Sequence, residues 1–354
     1  MPKFLTALLL PFSALYGLAI RFRHGMYRNG FFSRTTFDFP IICVGNLAVG
    51  GTGKTPHIEW LIAKLLPHYL PAVLSRGYKR NTIGYLKASA TTTVKEIGDE
   101  PFQIFKKFNP DVEVAVCENR VLGIPQLIGD CPNTDLILMD DGYQHLAVKA
   151  GFNILLTDFN RPYFNDYLLP AGLLREPITE AKNANYIVVT KCPTDLSLKT
   201  KQDYISKLNP EKNQKVFFSK LAYGQLLTVT KAAETIALET LQHVFILSGI
   251  AKAGYFHQKV ESQFIKCDKM VLPDHVAYTD DVVQQLAERF KNSGAAAIIT
   301  TEKDAVKLAD GKILPHLQHI PIWYLPIQIE LLFNDEKEFL DGIFTYIHQT
   351  KNNT

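Results

Sequence analysis

The stretch "VGNLAVGGTGKTP", residues 44–56, decides the fold. An apolar run, "IIC", leads into it, and a helical pattern, "TPHIEWLIAKLL", leads out. Strand, glycines, Lys-Thr and helix, in that order, give a G-x-x-x-x-G-K-[ST] pattern mechanical meaning as a phosphate loop. Only backbone without Cβ turns sharply enough for successive N–H groups to converge on phosphate oxygens, and the following helix N-terminus adds a favourable dipole. The predicted cradle is Ala48, Val49, Gly50, Gly51, Thr52, Gly53, Lys54 and Thr55. In it, Lys54 can bridge the β- and γ-phosphates, and Thr55 can set its hydroxyl on a magnesium ion. Pro56 falls in the first helical turn, where its missing N–H is harmless. Ala48 stands where the pattern opens with glycine, and Gly45 is positioned to end the strand instead.

Such a loop needs a second strand ending in aspartate. "DLILMDDGYQH" supplies it, with Asp140 and Asp141 just past four apolar residues, and their carboxylates suit magnesium directly or through water. Short apolar runs at 41–44, 72–75, 112–116, 136–139, 153–157 and 186–190 alternate with helical patterns. That alternation predicts an α/β fold: a P-loop NTPase-like, mainly parallel sheet flanked by helices. A second series of strand ends begins at "HVFILSG", and the helix "DEKEFLDGIFTYIHQ" is expected to complete this smaller C-terminal α/β domain. The predicted division is a membrane-associated helical segment at 1–36, a kinase core at 37–212, and the C-terminal domain with a β linker at 213–354. Guanine-selective loops end a late strand with N/T-K-x-D. "TKCP" has proline where that aspartate belongs, so adenine is the expected base.

The chain has 354 residues, 47% of them hydrophobic and 21% charged, which is ordinary globular composition. Its five cysteines are scattered without C-x-x-C spacing, arguing against a disulfide framework or zinc knuckle and for a reducing compartment. The net charge of +3 is unevenly spread. Lys3, Arg21, Arg23, Arg28 and Arg34 precede Asp38 with no acidic residue among them, so the rest of the chain is slightly negative. These cations flank "FLTALLLPFSALYGLAI", an apolar run of 17 interrupted by Pro11. A secretory signal wants its charge ahead of the run and a small-x-small site behind it. A full span wants about 20 uninterrupted apolar residues. The run therefore predicts a helix in the membrane interface with arginines on anionic headgroups, with a buried core helix as the alternative. If it inserts, the basic flank keeps the remainder of the chain on the cytoplasmic side.

The ordered set "VGNLAVGGTGKTP", "SRGYKR", "GDEP", "ENR", "DDGYQH", "LLPAGLLREP", "VVTKCP", "SGIAKAGYF", "PDH" and "TTEKDAVKL" resembles the tetraacyldisaccharide 4′-kinases, which phosphorylate the lipid A precursor. That family's phosphate loop also lacks the first glycine. The resemblance implies ATP and Mg2+ as cofactors and an acylated disaccharide phosphate lipid as acceptor. It also implies peripheral or monotopic attachment at the cytoplasmic face of the inner membrane. No nucleic acid or protein partner is implied. By resemblance Asp99 matches the general base and His275 its partner, while Glu100, Asp140 and Asp141 match the metal side. Arg76, Arg120, Gln144, His145, Arg175 and Glu176 match positions lining the cleft. The chemistry is consistent with this: a sugar hydroxyl needs a base beside it, and an acceptor bearing a phosphate suits arginines.

Two other readings share part of this pattern. A phosphate-loop ATPase or GTPase switch, or a metallochaperone, would use the loop and "DDG" but gives no reason for the Asp–His pair. A peripheral membrane protein that binds nucleotide without catalysis would use the N-terminus and the loop.

Overall fold

The computed structural model describes residues 3–309 and 313–352, so the first two residues of the expected N-terminal segment lie outside it. The apolar runs around the phosphate loop form a nine-stranded sheet, β14-β8-β7-β6-β1-β5-β2-β4-β3. Its strands are β1 (Ile41–Asn46), β2 (Pro71–Ser75), β3 (Leu86–Lys87), β4 (Glu113–Val116), β5 (Leu136–Asp140), β6 (Phe152–Asp158), β7 (Tyr186–Thr190), β8 (Lys215–Tyr223) and β14 (Ile327–Leu331). The middle strands are parallel, and β3 and β14 close the two edges antiparallel. Strands β1, β2, β5 and β7 are buried along their whole length. Burial on both faces is why they read as continuous apolar runs and not as alternation.

Strand β1 pairs with β5 and β6, so the chain order jumps at its C-terminal end. Ligands of open α/β sheets bind at such a point. Register places Val44 opposite Asp140, so the loop after β1 and the aspartates after β5 meet there. Helix Lys54–Leu65 buries Ile58, Leu61, Ile62 and Leu65 against one face of this sheet.

The second sheet, β11-β10-β12-β13-β9, comprises β9 (Leu227–Thr228), β10 (His243–Ser248), β11 (Lys266–Val271), β12 (Ala297–Thr301) and β13 (Ile322–Leu325). The chain leaves the first sheet through β8 and returns through β14, an antiparallel pair. The expected β linker thus lies in register with the first sheet: β8 runs parallel to β7, with Tyr186 opposite Lys215.

The last helix, Glu336–Asn352, is expected from its pattern to complete the second unit but packs on the first. Phe339 packs at steep ring angles against Trp60, Tyr186 and Phe217, at 4.8–5.3 Å between ring centroids. Tyr346 Oη receives the Ile41 amide and donates to the Ile41 carbonyl. The aromatic side chains of that helix pack on one face of the core sheet, a long-range fit that local pattern does not reveal.

The N-terminal helix, Lys3–Arg28, runs 26 residues straight through Pro11, about 39 Å. Pro11 interrupts the apolar run but not the helix, which, against the expectation that the run falls short of a span, is long and apolar enough to cross a membrane by length and composition. One stripe of it, Ser13, Gly17, Ile20 and His24, faces the protein; the other, with Phe4, Leu8, Phe12, Leu15, Leu18 and Phe22, is exposed. Ser13 Oγ donates to the Leu168 carbonyl and accepts the Ala171 amide. A Cβ on Gly17 would stand 2.9 Å from Leu168 Cδ1, so the helix approaches the segment around Leu168 closely there.

Candidate active site

The phosphate loop turns through Gly50 and Gly53, both left-handed at φ 108° and 90°. Ala48 needs no such backbone. It forms an antiparallel bridge with Leu174, while Val49 N donates to the Leu173 carbonyl at 2.7 Å and Arg175 N to the Leu47 carbonyl at 2.7 Å. The departure from glycine thus marks where the loop is stitched to "LLPAGLLREP".

Three residues outside the expected set hold the loop in shape. Asn46 is fully buried; its Nδ2 donates to Thr52 Oγ1 at 2.9 Å, and its Oδ1 receives Lys54 Nζ at 3.4 Å and Arg175 Nη2 at 2.6 Å. His57 donates from Nδ1 to the Gly53 carbonyl at 2.7 Å and pairs through Nε2 with Ser219 Oγ at 3.0 Å. Burial pushes its pKa down to about 4, so it braces the loop as a neutral imidazole. Lys191, in "TKCP", donates to the Gly51 carbonyl and pairs with Asp158 at 3.0 Å. Beside it opens a cavity of about 110 Å3 lined by Leu221, Ile250, Tyr255, Phe256 and Leu325 among others. That largely apolar lining suits a flat base better than a phosphate.

At the end of β5 the two aspartates differ. Asp141 lies 3.6 Å from Lys54 and 3.0 Å from Arg175. Burial alone would raise its pKa, but Lys54 and Arg175 outweigh that and hold its carboxyl below the usual range. Asp140 is 4% exposed, and its Oδ1 has no hydrogen-bond partner. Burial, then the neighbouring Asp141 and Glu100, lift its pKa to about 7. A buried, orphaned carboxylate oxygen among other acidic groups is the environment a cation would relieve. Among the described residues no three His, Cys, Asp or Glu side chains converge as a protein cage.

Across the cleft, Asp99 opens the helix Asp99–Phe108. Gly98 before it sits at φ 91°, where a Cβ would stand 2.9 Å from the Tyr78 carbonyl. His275, from the loop after β11, donates from Nδ1 to Asp99 Oδ2 at 2.9 Å. The expected pair is therefore brought together across 176 residues of chain. Two lysines from helix Glu302–Leu308 join it, Lys307 at 2.8 Å and Lys303 at 3.7 Å. Burial would raise the Asp99 pKa, but Lys307, Lys303 and His275 together hold it below the ordinary value. Both lysines lie in "TTEKDAVKL", whose i, i+4 spacing puts them on one helical face.

The remaining expected residues divide. Arg76 is exposed and Thr55 half-buried. Gln144 Nε2 donates to the Asn46 carbonyl at 2.5 Å. His145 accepts the Arg120 amide through Nε2 at 3.3 Å, and burial with three nearby arginines lowers its pKa to about 4. Arg120 and Glu176, expected to line the cleft, are each 2% exposed. The Arg120 guanidinium donates to the Cys117 and Asp140 carbonyls and so ties the ends of β4 and β5. Glu176 is covered by the N-terminal helix, with His24 Nε2 2.6 Å and Arg23 3.5 Å away.

A family model described as tetraacyldisaccharide-1-P 4′-kinase matches residues 5–347. The tetraacyldisaccharide 4′-kinase of Flavobacterium psychrophilum is 41% identical over 356 residues, covering 99% of each chain. That of Porphyromonas gingivalis strain W83 is 39% identical over 350 residues, covering 97% of this chain and 98% of the relative. A crystal structure of LpxK from Aquifex aeolicus in complex with ATP superposes with a TM-score of 0.74 at 30% identity, covering 97% of this chain and 99% of that one. The parallel sheet, the phosphate loop and this full-length similarity place the chain in the tetraacyldisaccharide-1-phosphate 4′-kinase family.

Proposed function

We propose that the protein transfers the γ-phosphate of ATP to the 4′-hydroxyl of a tetraacyldisaccharide 1-phosphate, with Asp99 taking the hydroxyl proton. The Asp99–His275 contact carries this reading, because neither a nucleotide switch nor a scaffold has use for an acid–base pair. Asp99 is a weak base in this setting. A weak base suffices for a loose phosphoryl transition state, in which the nucleophile keeps its proton until late. His275 orients the carboxylate, and Lys307 fixes it from the other side.

Lys54 and the loop amides would bind the β- and γ-phosphates, and Arg175 would meet negative charge on the acceptor side. Thr55, Asp140, Asp141 and Glu100 would hold Mg2+, whose chemistry is neutralisation of the oxygens between the β- and γ-phosphates. The orphaned Asp140 Oδ1 supports that assignment. The exposed stripe Phe4, Leu8, Phe12, Leu15, Leu18 and Phe22 supports attachment to a membrane surface, and the basic flank after it would keep the remainder of the chain at the cytoplasmic face of the inner membrane. Because the opposite stripe is bonded to the folded domain from Ser13 onward, the helix would lie in the interface and not cross.

The test is incubation with γ-labelled ATP, Mg2+ and the disaccharide lipid. Label is expected in lipid; free phosphate alone would return the protein to the switch or scaffold readings.

A further inference from the structure

His24 sits on the docked stripe of the N-terminal helix with 6% of its side chain exposed. Its two ring nitrogens face two different carboxylates, Glu176 at 2.6 Å from Nε2 and Glu180 at 3.1 Å from Nδ1. An ionised carboxylate only accepts hydrogen bonds, so both nitrogens must donate and the ring must be an imidazolium. The surroundings agree. Hydrogen bonds donated to Glu176 and then to Glu180 lift the His24 pKa to about 9 against the cost of burial. For Glu180, burial would raise the pKa, but His24, Arg28 and Arg34 hold it down.

The pin is anchored at both ends. Glu176 and Arg175 both donate their amides to the Leu47 carbonyl of the phosphate loop. The Arg175 guanidinium spans Asn46 and Asp141. On the helix side, Tyr16 Oη donates to the Arg175 carbonyl at 3.1 Å, and Arg23 donates to the Gln144 carbonyl at 2.8 Å. One dipeptide therefore connects the seat of the helix to the floor of the phosphate site.

We propose that His24 is a positioning residue: its imidazolium ties Glu176 to the N-terminal helix and thereby aims Arg175 at the acceptor. This rests on the reading of Arg175 as an acceptor-side group. Without the cation, the two buried carboxylates lose the partner they share, Arg23 remaining beside Glu176 and Arg28 and Arg34 near Glu180, so Glu176 swings away and Arg175 loses its aim. Arg175 also donates to Asn46 Oδ1 at 2.6 Å, but Asn46 keeps Thr52 and Lys54, and His57 keeps the Gly53 carbonyl, so the nucleotide side stays held without Arg175.

The full-length protein is assayed with the disaccharide lipid in detergent micelles, as wild type, His24→Ala, His24→Gln and the double variant His24→Ala/Glu180→Gln. His24→Ala is expected to raise the acceptor KM by roughly tenfold or more, with ATP affinity within about twofold of wild type. Glu180→Gln in that background removes one of the two buried carboxylates and is expected to recover most of the loss. Should His24→Ala fail to fold, His24→Gln, which keeps one donor, is expected to show an intermediate acceptor KM. An unchanged acceptor KM in a folded variant overturns the proposal. So does a parallel loss of acceptor and ATP affinity, or a loss that Glu180→Gln does not repair. If wild type itself puts no label in lipid, the functional reading fails instead, and the two failures are distinguishable.

Discussion

Replacing Asp99 with asparagine keeps the shape of the side chain and one oxygen acceptor for His275 Nδ1 while removing the charge. Two losses result, and the structure separates them. Lys307, with 7% of its side chain exposed, loses the carboxylate 2.8 Å away. Leaving a mostly buried group poorly satisfied costs about 1–3 kcal/mol of stability. The chemical loss is larger, because an amide cannot take a proton. General-base catalysis contributes about 10²–10⁴ in rate, or roughly 2.7–5.4 kcal/mol of barrier. The contacts that hold the phosphate loop run through Asn46 and His57 and not through Asp99, so ATP affinity is expected to stay within about twofold. The assay is steady-state transfer to lipid below the melting temperature of the variant, with ATP binding and thermal melting measured on the same preparation. A fully folded Asp99→Asn enzyme retaining kcat within about threefold of wild type would refute the base assignment. A loss confined to ATP affinity would move Asp99 to the nucleotide side.

Three further outcomes test other links. Phe339→Ala is expected to destabilise the whole core by about 3–5 kcal/mol, since that ring is 2% exposed among Trp60, Tyr186 and Phe217; a denaturant midpoint close to wild type would detach the last helix from the first sheet. Ala48→Gly is expected to leave ATP affinity nearly unchanged and to lose about 0.5–1 kcal/mol of stability, because Ala48 occupies ordinary backbone bridged to Leu174; markedly tighter ATP binding would mean that the alanine is a defect. His24 has a pKa raised from 6.5 to about 9, so its contribution to stability is full below about pH 6.5 and lost as pH rises through about 9. The melting-temperature gap between wild type and His24→Ala should therefore narrow between pH 7 and pH 10, and a gap that widens would contradict the imidazolium.

The features legible in the sequence are those encoded locally. The loop of residues 47–53, the strand before it and the helix after it are contiguous, so residue order alone predicts their geometry. The apolar run ending at Asp140 carries its own signature in the same way. Asn46 stands inside the loop motif without a recognisable role there, because its function lies in partners 6, 8 and 129 residues away. Lys303 and Lys307 likewise sit in plain view within "TTEKDAVKL", yet only the fold carries that helix to Asp99. The last helix reads as part of the wrong sheet for a related reason: amphipathic spacing reports that a face is buried, not against which surface. Glu176 and Arg120 show the converse. Charged residues in a motif read as groups aimed at ligand, whereas both are sealed inside, and burial is a tertiary property.

The N-terminal segment joins these two kinds of information. Its charge and apolarity are local, and they imply a lipid surface without saying how the surface is connected to chemistry. The connection runs through one helical stripe, in which Ser13, Tyr16 and His24 bond to backbone or carboxylates of residues 168–180. A helix used only as an anchor needs an apolar face and a tether. This one also commits its polar side chains to the segment that carries Arg175, and that segment is bridged to the phosphate loop through Ala48. Glycine at that position would loosen the bridge by adding backbone freedom where the strand-like pairing requires order. The missing glycine and the buried histidine therefore serve one arrangement, in which the seat of the helix and the shape of the loop are set together.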